Sequence, residues 1–219
     1  MLLKFAVFTF FLALVAGSIG LLTAPSKMEL ALMRLEDQNF SQSLEYYEEK
    51  VAMGDRSIDV IAPLLNIYKY YGYNERAIEL MEEYVKDNQD SVEAHKQLAY
   101  LYLTSKYYDK YCEALESLQE IQPSIDNLRL LADTYRFLGK HAEEISALER
   151  LIKHGRYHTE EADYVNLASL YMIDNNNYEK ATETLLIFFN QGTDDVSIST
   201  AHMAVQLLAE YGDVERAMY

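Results

Sequence analysis

A leucine followed by a second small or apolar residue, with a tyrosine four positions after the first, returns along this chain at nearly constant spacing. Leu64-Leu65 with Tyr68, Leu98-Ala99 with Tyr102, Leu131-Ala132 with Tyr135 and Leu167-Ala168 with Tyr171 carry the pattern. Leu30-Ala31 precedes them, Ala204-Val205 with Leu208 follows more loosely, and the first residues lie 34, 34, 33, 36 and 37 apart. Self-similarity at such a period marks an array of one supersecondary unit repeated. The stretch LAYLYLTSKYYDKYCEALESLQEIQP, Leu98 to Pro123, shows what the unit is. Its apolar residues at 98, 99, 102 and 103 and again at 111, 115 and 118 describe two amphipathic helices, interrupted by a polar turn at Ser105-Lys106. Only 8 glycines and 3 prolines punctuate the chain, which suits long helices joined by short turns, so the predicted class is all-α.

Further positions follow the same register. Gly72, Gly139 and Gly212 fall between the paired helices, Phe40, Tyr108 and Tyr178 open the second helix, and Ser43, Ala77, Ala181 and Ala217 supply a small residue inside it. Pro123 falls at a unit's end. On these residues the chain resembles the tetratricopeptide repeat family over nearly everything after its first 23 residues. It departs at Tyr111 and Glu144, where a small residue is usual, and at Asn74, His141 and Val214 in the aromatic place. The resemblance implies a right-handed superhelical solenoid, because a hairpin cannot bury its apolar face without a neighbour. Repeats are expected at about 24–56, 57–90, 91–123, 124–158 and 159–195, with an incomplete sixth from 196. Asp90 with Glu93 reads as a capping box, and Thr159 before Glu160 and Glu161 as another helix start. GDVERAMY, residues 212–219, then reads as the turn and the beginning of an unfinished second helix, which predicts that the protein continues beyond it.

The first 23 residues differ in kind. Phe5 to Leu22 carries no charge, and Leu2 onward is long enough as a helix to cross a bilayer. Residues 3–22 are therefore expected to form an uncleaved transmembrane anchor; the alternative is a signal sequence cut near Val15-Ala16-Gly17 or Ser18-Ile19-Gly20. Lys4 and the terminal amine favour the amino terminus inside, which places the repeats periplasmic or otherwise extracytoplasmic in a single-pass protein of the inner (cytoplasmic) membrane.

Charge and chemistry exclude more than they assign. With 19 Lys and Arg against 35 Asp and Glu the net charge is −16, which opposes a polyanionic backbone, so no nucleic-acid partner is expected. No phosphate-binding, nucleophile-elbow or zinc-helix motif occurs. His154 and His158 lack a third ligand nearby, and Glu143-Glu144 and Glu160-Glu161 point to different helix faces. The lone Cys112 cannot form an internal disulfide. The reading is non-catalytic, with no cofactor and no metal.

In the tetratricopeptide family the first helices of the hairpins line a ligand groove. Carried onto this register, the groove positions hold Asn66, Lys69, Lys96, Tyr100, Arg129, Asp133 and Arg136. Four cations on one face read first as neutralising the surrounding acids; the alternative is a groove that takes an anionic or hydroxyl-rich polymer, beside other proteins, as ligand. The resemblance implies a protein-interaction scaffold. An apolar leader followed by repeats is similar, more finely, to the repeat part of Pel-type exopolysaccharide secretion proteins of bacterial envelopes. A second functional reading is a recruitment module for a catalytic domain lying beyond residue 219, and a third is an assembly factor that faces the cytoplasm.

Overall fold

The computed structural model describes residues 26–36, 40–155, 159–173, 176–191 and 196–211. Every regular element among them is helical: α1 (Lys27–Glu36), α2 (Phe40–Ala52), α3 (Ile58–Tyr71), α4 (Asn74–Asp87), α5 (Val92–Thr104), α6 (Tyr108–Ile121), α7 (Ile125–Leu138), α8 (His141–His154), α9 (Glu161–Ile173), α10 (Tyr178–Phe189) and α11 (Ile198–Tyr211). The chain divides into two compact units, Met1–Leu80 and Met81–Tyr219. In the first, α1 packs on α2 and α2 on α3; in the second, α5 to α11 pack each on the next. No helix among the described residues is long and apolar enough to cross a membrane. The predicted anchor, the 212–219 segment and His158 lie outside those residues.

Among the described residues, the turns that follow α3, α5, α7 and α9 repeat one backbone solution. A residue in the left-handed region ends the first helix, and the next N–H returns to a carbonyl of its last turn, satisfying groups a helix end would otherwise leave bare. Gly72 (φ 71°) and Gly139 (φ 68°) take this place as the register predicts; Lys106 (φ 63°) and Asn176 (φ 46°) fill it without glycine. Tyr73 N–H donates to the Tyr68 carbonyl at 2.9 Å, and Lys140 N–H to that of Tyr135 at 2.9 Å. One cap differs from expectation. At α5 the capping oxygen belongs to Ser91, which accepts from Ala94 N–H at 3.3 Å, and not to Asp90. Ser91 has the extended backbone (φ −81°, ψ 100°) that aims a short side chain back at the helix. At α9 the reach is reversed: Asp163 accepts from Glu160 N–H at 2.8 Å.

The repeating leucines are the core. Leu64, Leu98, Leu131 and Leu167 are buried, as are the small residues Ser43, Ala77 and Ala181. Tyr111 and Glu144, the departures at the small-residue position, are buried there too. Of the recurring tyrosines, Tyr68, Tyr102 and Tyr171 are buried; Tyr135, read from sequence as equivalent, is only half-buried.

The three buried tyrosines share a polar partner that the sequence reading missed. Tyr68 Oη donates to Glu48 at 3.0 Å, and the same carboxylate oxygen takes Arg76 at 2.7 Å. Tyr102 donates to Glu82 at 2.7 Å, joined by Lys110 at 2.8 Å, and Tyr171 donates to Glu149, joined by Lys180 at 3.7 Å. Each triad ties the second helix of one hairpin to both helices of the following one. Burial, then the bond to Glu48, pushes the Tyr68 hydroxyl up to about 12, while the Lys110 and Tyr102 bonds hold Glu82 below the usual carboxylate range. At the Tyr135 junction the cation's place is taken by Glu143, and Glu116 instead accepts from Arg150 at 2.9 Å through both oxygens.

Aromatic contacts link neighbouring hairpins at every other junction. Phe40 packs on Tyr70 with centroids 4.2 Å apart, Tyr108 on Phe137 at 5.0 Å, and Tyr178 on Tyr211 at 4.0 Å. The aromatic that opens the second helix thus serves as a pad for the end of the next first helix.

The Tyr47 hydroxyl is a buried group left unsatisfied. Tyr47 is fully buried, its hydroxyl has no partner among the described residues, and burial raises its ionisation above the ordinary phenol range. An unpaired buried hydroxyl costs about 1–3 kcal/mol. Tyr47→Phe is therefore expected to raise the urea midpoint by the equivalent of about 1 kcal/mol; a lower midpoint would mean that the hydroxyl has a stabilising partner.

Candidate interaction face

The predicted groove residues sit on the first helices of their hairpins. Asn66 and Lys69 belong to α3 in the first unit, and both are exposed. The other five belong to the second unit. Lys96, Tyr100 and Leu103 are spaced i, i+4, i+7 on α5, and Arg129, Asp133 and Arg136 are spaced identically on α7, so each trio lies along one helix face. Next to these stripes are Leu130 and Phe137. Tyr100 is 52% exposed, Leu103 41%, Leu130 45% and Phe137 70%, so both helices present large apolar groups to solvent on or beside these stripes. Ile173, at the end of α9 in the same register as Phe137, is 75% exposed.

Both arginines stand beside acids of their own chain, as the neutralising reading of the sequence expects. Arg129 Nη2 donates to Asp163 Oδ2 at 3.1 Å and lies 3.6 Å from Glu160 Oε1. The Asp163 bond and charge push the guanidinium's ionisation further up. Arg136 Nε donates to Glu144 Oε1 at 2.7 Å and its Nη1 to Asp133 Oδ1 at 3.2 Å. Glu144 is 1% exposed, so Arg136 neutralises a carboxylate in the interior of its own hairpin. Two of the four cations thus face four carboxylates of the same chain.

Both pairings leave a trace in the sequence. Asp163 lies 34 residues after Arg129, one repeat length, and Glu144 is an acid at a position that is Ser or Ala in three other hairpins. A charge in a packed position requires a partner, and Arg136 is the cation within reach across the turn.

A cavity of about 490 Å³ opens between α8, α9 and α10 over Ile152, Leu167 and Ile187, with Lys153, Lys180 and Glu183 among its lining residues. Cys112 is buried in α6, and that burial pushes its thiol up to about 11, the opposite of an activated nucleophile. Among the described residues no group of three His, Cys, Asp or Glu side chains is placed to hold a metal ion.

No protein-family model matches the chain, and no curated protein matches its sequence. Solved structures match its fold. A chain in the structure of Naa15/Naa10 bound to HypK-THB aligns with a TM-score of 0.57 at 21% identity, over 87% of this chain. The hairpins are tetratricopeptide-like. This chain spans 29% of the length of the chain it matches there, and the likeness is one of fold. A MamA structure aligns at TM-score 0.49 and 21% identity, over 78% of this chain and 92% of its own. A tetratricopeptide repeat protein from Parabacteroides merdae aligns at 0.44 and 17%, over 87% and 73%.

Proposed function

We propose that this protein is a non-catalytic interaction scaffold of the tetratricopeptide repeat family, which takes a segment of a partner protein on the α5 and α7 face of its second unit. The observation that carries the reading is the exposure of Tyr100, Leu103, Leu130 and Phe137 on helices whose other faces are packed. Large apolar groups kept in water at adjoining register positions are the mark of an interaction surface. Tyrosine and phenylalanine anchors also lose little conformational freedom when a partner covers them.

The uncharged run from Phe5 to Leu22 supports a further proposal, that the scaffold is anchored in the inner membrane with its repeats outside the cytoplasm. The order of apolar leader and repeats is what supports a place in an envelope assembly such as exopolysaccharide secretion.

Photo-crosslinking in cells tests the reading. A benzophenone side chain at Tyr100 or Phe137 is expected to give one adduct of discrete mass that is lost on Leu103→Asp, while the same group at Ile187 gives none. An adduct from Ile187 alone would move the site to the α8–α10 cavity and overturn the assignment. A phosphatase fused after residue 90 should be active outside the cytoplasm and membrane-bound; an inactive fusion would reverse the orientation.

A further inference from the structure

Resting on the interaction reading above, we infer that the partner segment this face takes is basic and amphipathic. The argument is one of charge held at fixed positions. Arg129 lies between Asp163 and Glu160, and Arg136 between Glu144 and Asp133. One cation between two carboxylates leaves a unit of negative charge at each place. Glu93 and Asp126, exposed in the first turns of α5 and α7, lie on the same stripes as Tyr100 and Asp133. Lys96 alone stands against them on α5. The face therefore sums to negative although its arginines suggest the reverse, and it belongs to a chain of net charge −16.

The arginines are also poor recruits for an incoming anion. To meet a carboxylate from outside, Arg136 would have to leave Glu144, stranding a charge whose side chain is only 2% exposed. A lysine or arginine of a partner meets no such obstacle. Asp133 and Glu160 are 60% and 69% exposed, so their remaining lone pairs are open to a second donor without disturbing the internal pairs. The apolar groups beside them select the rest of the segment. Phe137 and Leu130 flank Asp133, so a segment placing cations beside aliphatic or aromatic residues satisfies both features at once.

Fluorescence anisotropy with the full 219-residue chain separates the outcomes. The probes are a short peptide alternating Lys with Leu and Phe, its twins with Glu or Ser in place of Lys, and alginate as an anionic, hydroxyl-rich polymer. The lysine peptide is expected to bind about tenfold or more tightly than the glutamate twin at low salt. The difference should shrink as salt shortens the screening length to about 8 Å and below. Asp133→Lys with Glu160→Lys should weaken the lysine peptide and strengthen the glutamate twin, with little change in the unfolding midpoint because both carboxylates are exposed. Equal binding of the three peptides, or tighter binding of the glutamate twin or alginate, would overturn the inference and leave the interaction reading standing. If no peptide binds, the face is not a docking surface and both readings fall.

Discussion

Tyr164→Ala should cost about 3–5 kcal/mol and expose the amides of α9 and α10 to exchange before those of the preceding hairpins. Tyr164 is fully buried, and its ring lies 5.3 Å from that of Phe188 on the partner helix. Its hydroxyl is 2.9 Å from Thr159 Oγ1 and accepts from Gln191, so one side chain joins the start of α9 to the end of α10. Truncation removes the ring from the centre of the hairpin and the hydroxyl that both polar partners share. Tyr164→Phe keeps the ring and should cost about 1 kcal/mol, the worth of the hydrogen bonds. Because each hairpin is stabilised by itself and its neighbours, the loss should remain local to residues 161–189. Chemical denaturation and hydrogen exchange read the two effects. An alanine variant within about 1 kcal/mol of the parent would show that the hairpin does not depend on this side chain.

Arg136→Ala should be the most costly of the charge substitutions, and a second substitution should reverse it. Removing one member of a fully buried ion pair costs about 3–5 kcal/mol, because the remaining charge is stranded. Here Glu144 is buried but the Arg136 side chain is 44% exposed, so water reaches the site and about 2–3 kcal/mol is expected. Replacing Glu144 as well should restore most of the loss. Alanine is what α4 and α10 carry at that register, where Ala77 and Ala181 are fully buried, so the position tolerates a methyl group. Glu144→Ala alone should cost less than Arg136→Ala, since the arginine keeps Asp133 and solvent. A double-mutant cycle measures the coupling. A double variant as unstable as Arg136→Ala would mean that the arginine acts through its packing and not as the counter-ion of Glu144.

These two residues mark where sequence reasoning stops being sufficient. Helices and turns were legible because their cause is local. A period of about 3.6 in the apolar residues dictates a helix with one buried stripe, and a glycine between two such stripes marks the left-handed turn found at Gly72 and Gly139. Lys106 and Asn176 adopt the same turn without glycine, so there the polar break between stripes was the only signal. The leucine core was legible for a related reason: a residue recurring once per hairpin at one register meets the same neighbours each time, as at Leu64, Leu98, Leu131 and Leu167.

The same logic misplaced Tyr135, because its interface lacks the carboxylate-cation pair of the others: Glu143 stands in the cation's place, and Glu116 turns to Arg150. Burial of a tyrosine depends on what its hydroxyl meets, and that partner lies about twenty residues away on another helix in the triads that do form.

For the candidate site, the sequence by itself determined which residues share a helix face, since spacing alone puts Lys96 with Tyr100 and Arg129 with Asp133 and Arg136. It did not determine their charge state as a surface. Electrostatic pairing is decided over about 3–4 Å between atoms whose positions depend on how helices pack, and no period in the chain encodes that distance. Only the tertiary structure brings Asp163 to Arg129 across one whole repeat and folds Glu144 under Arg136 across a turn, converting an apparently cationic groove into an acidic face with apolar anchors.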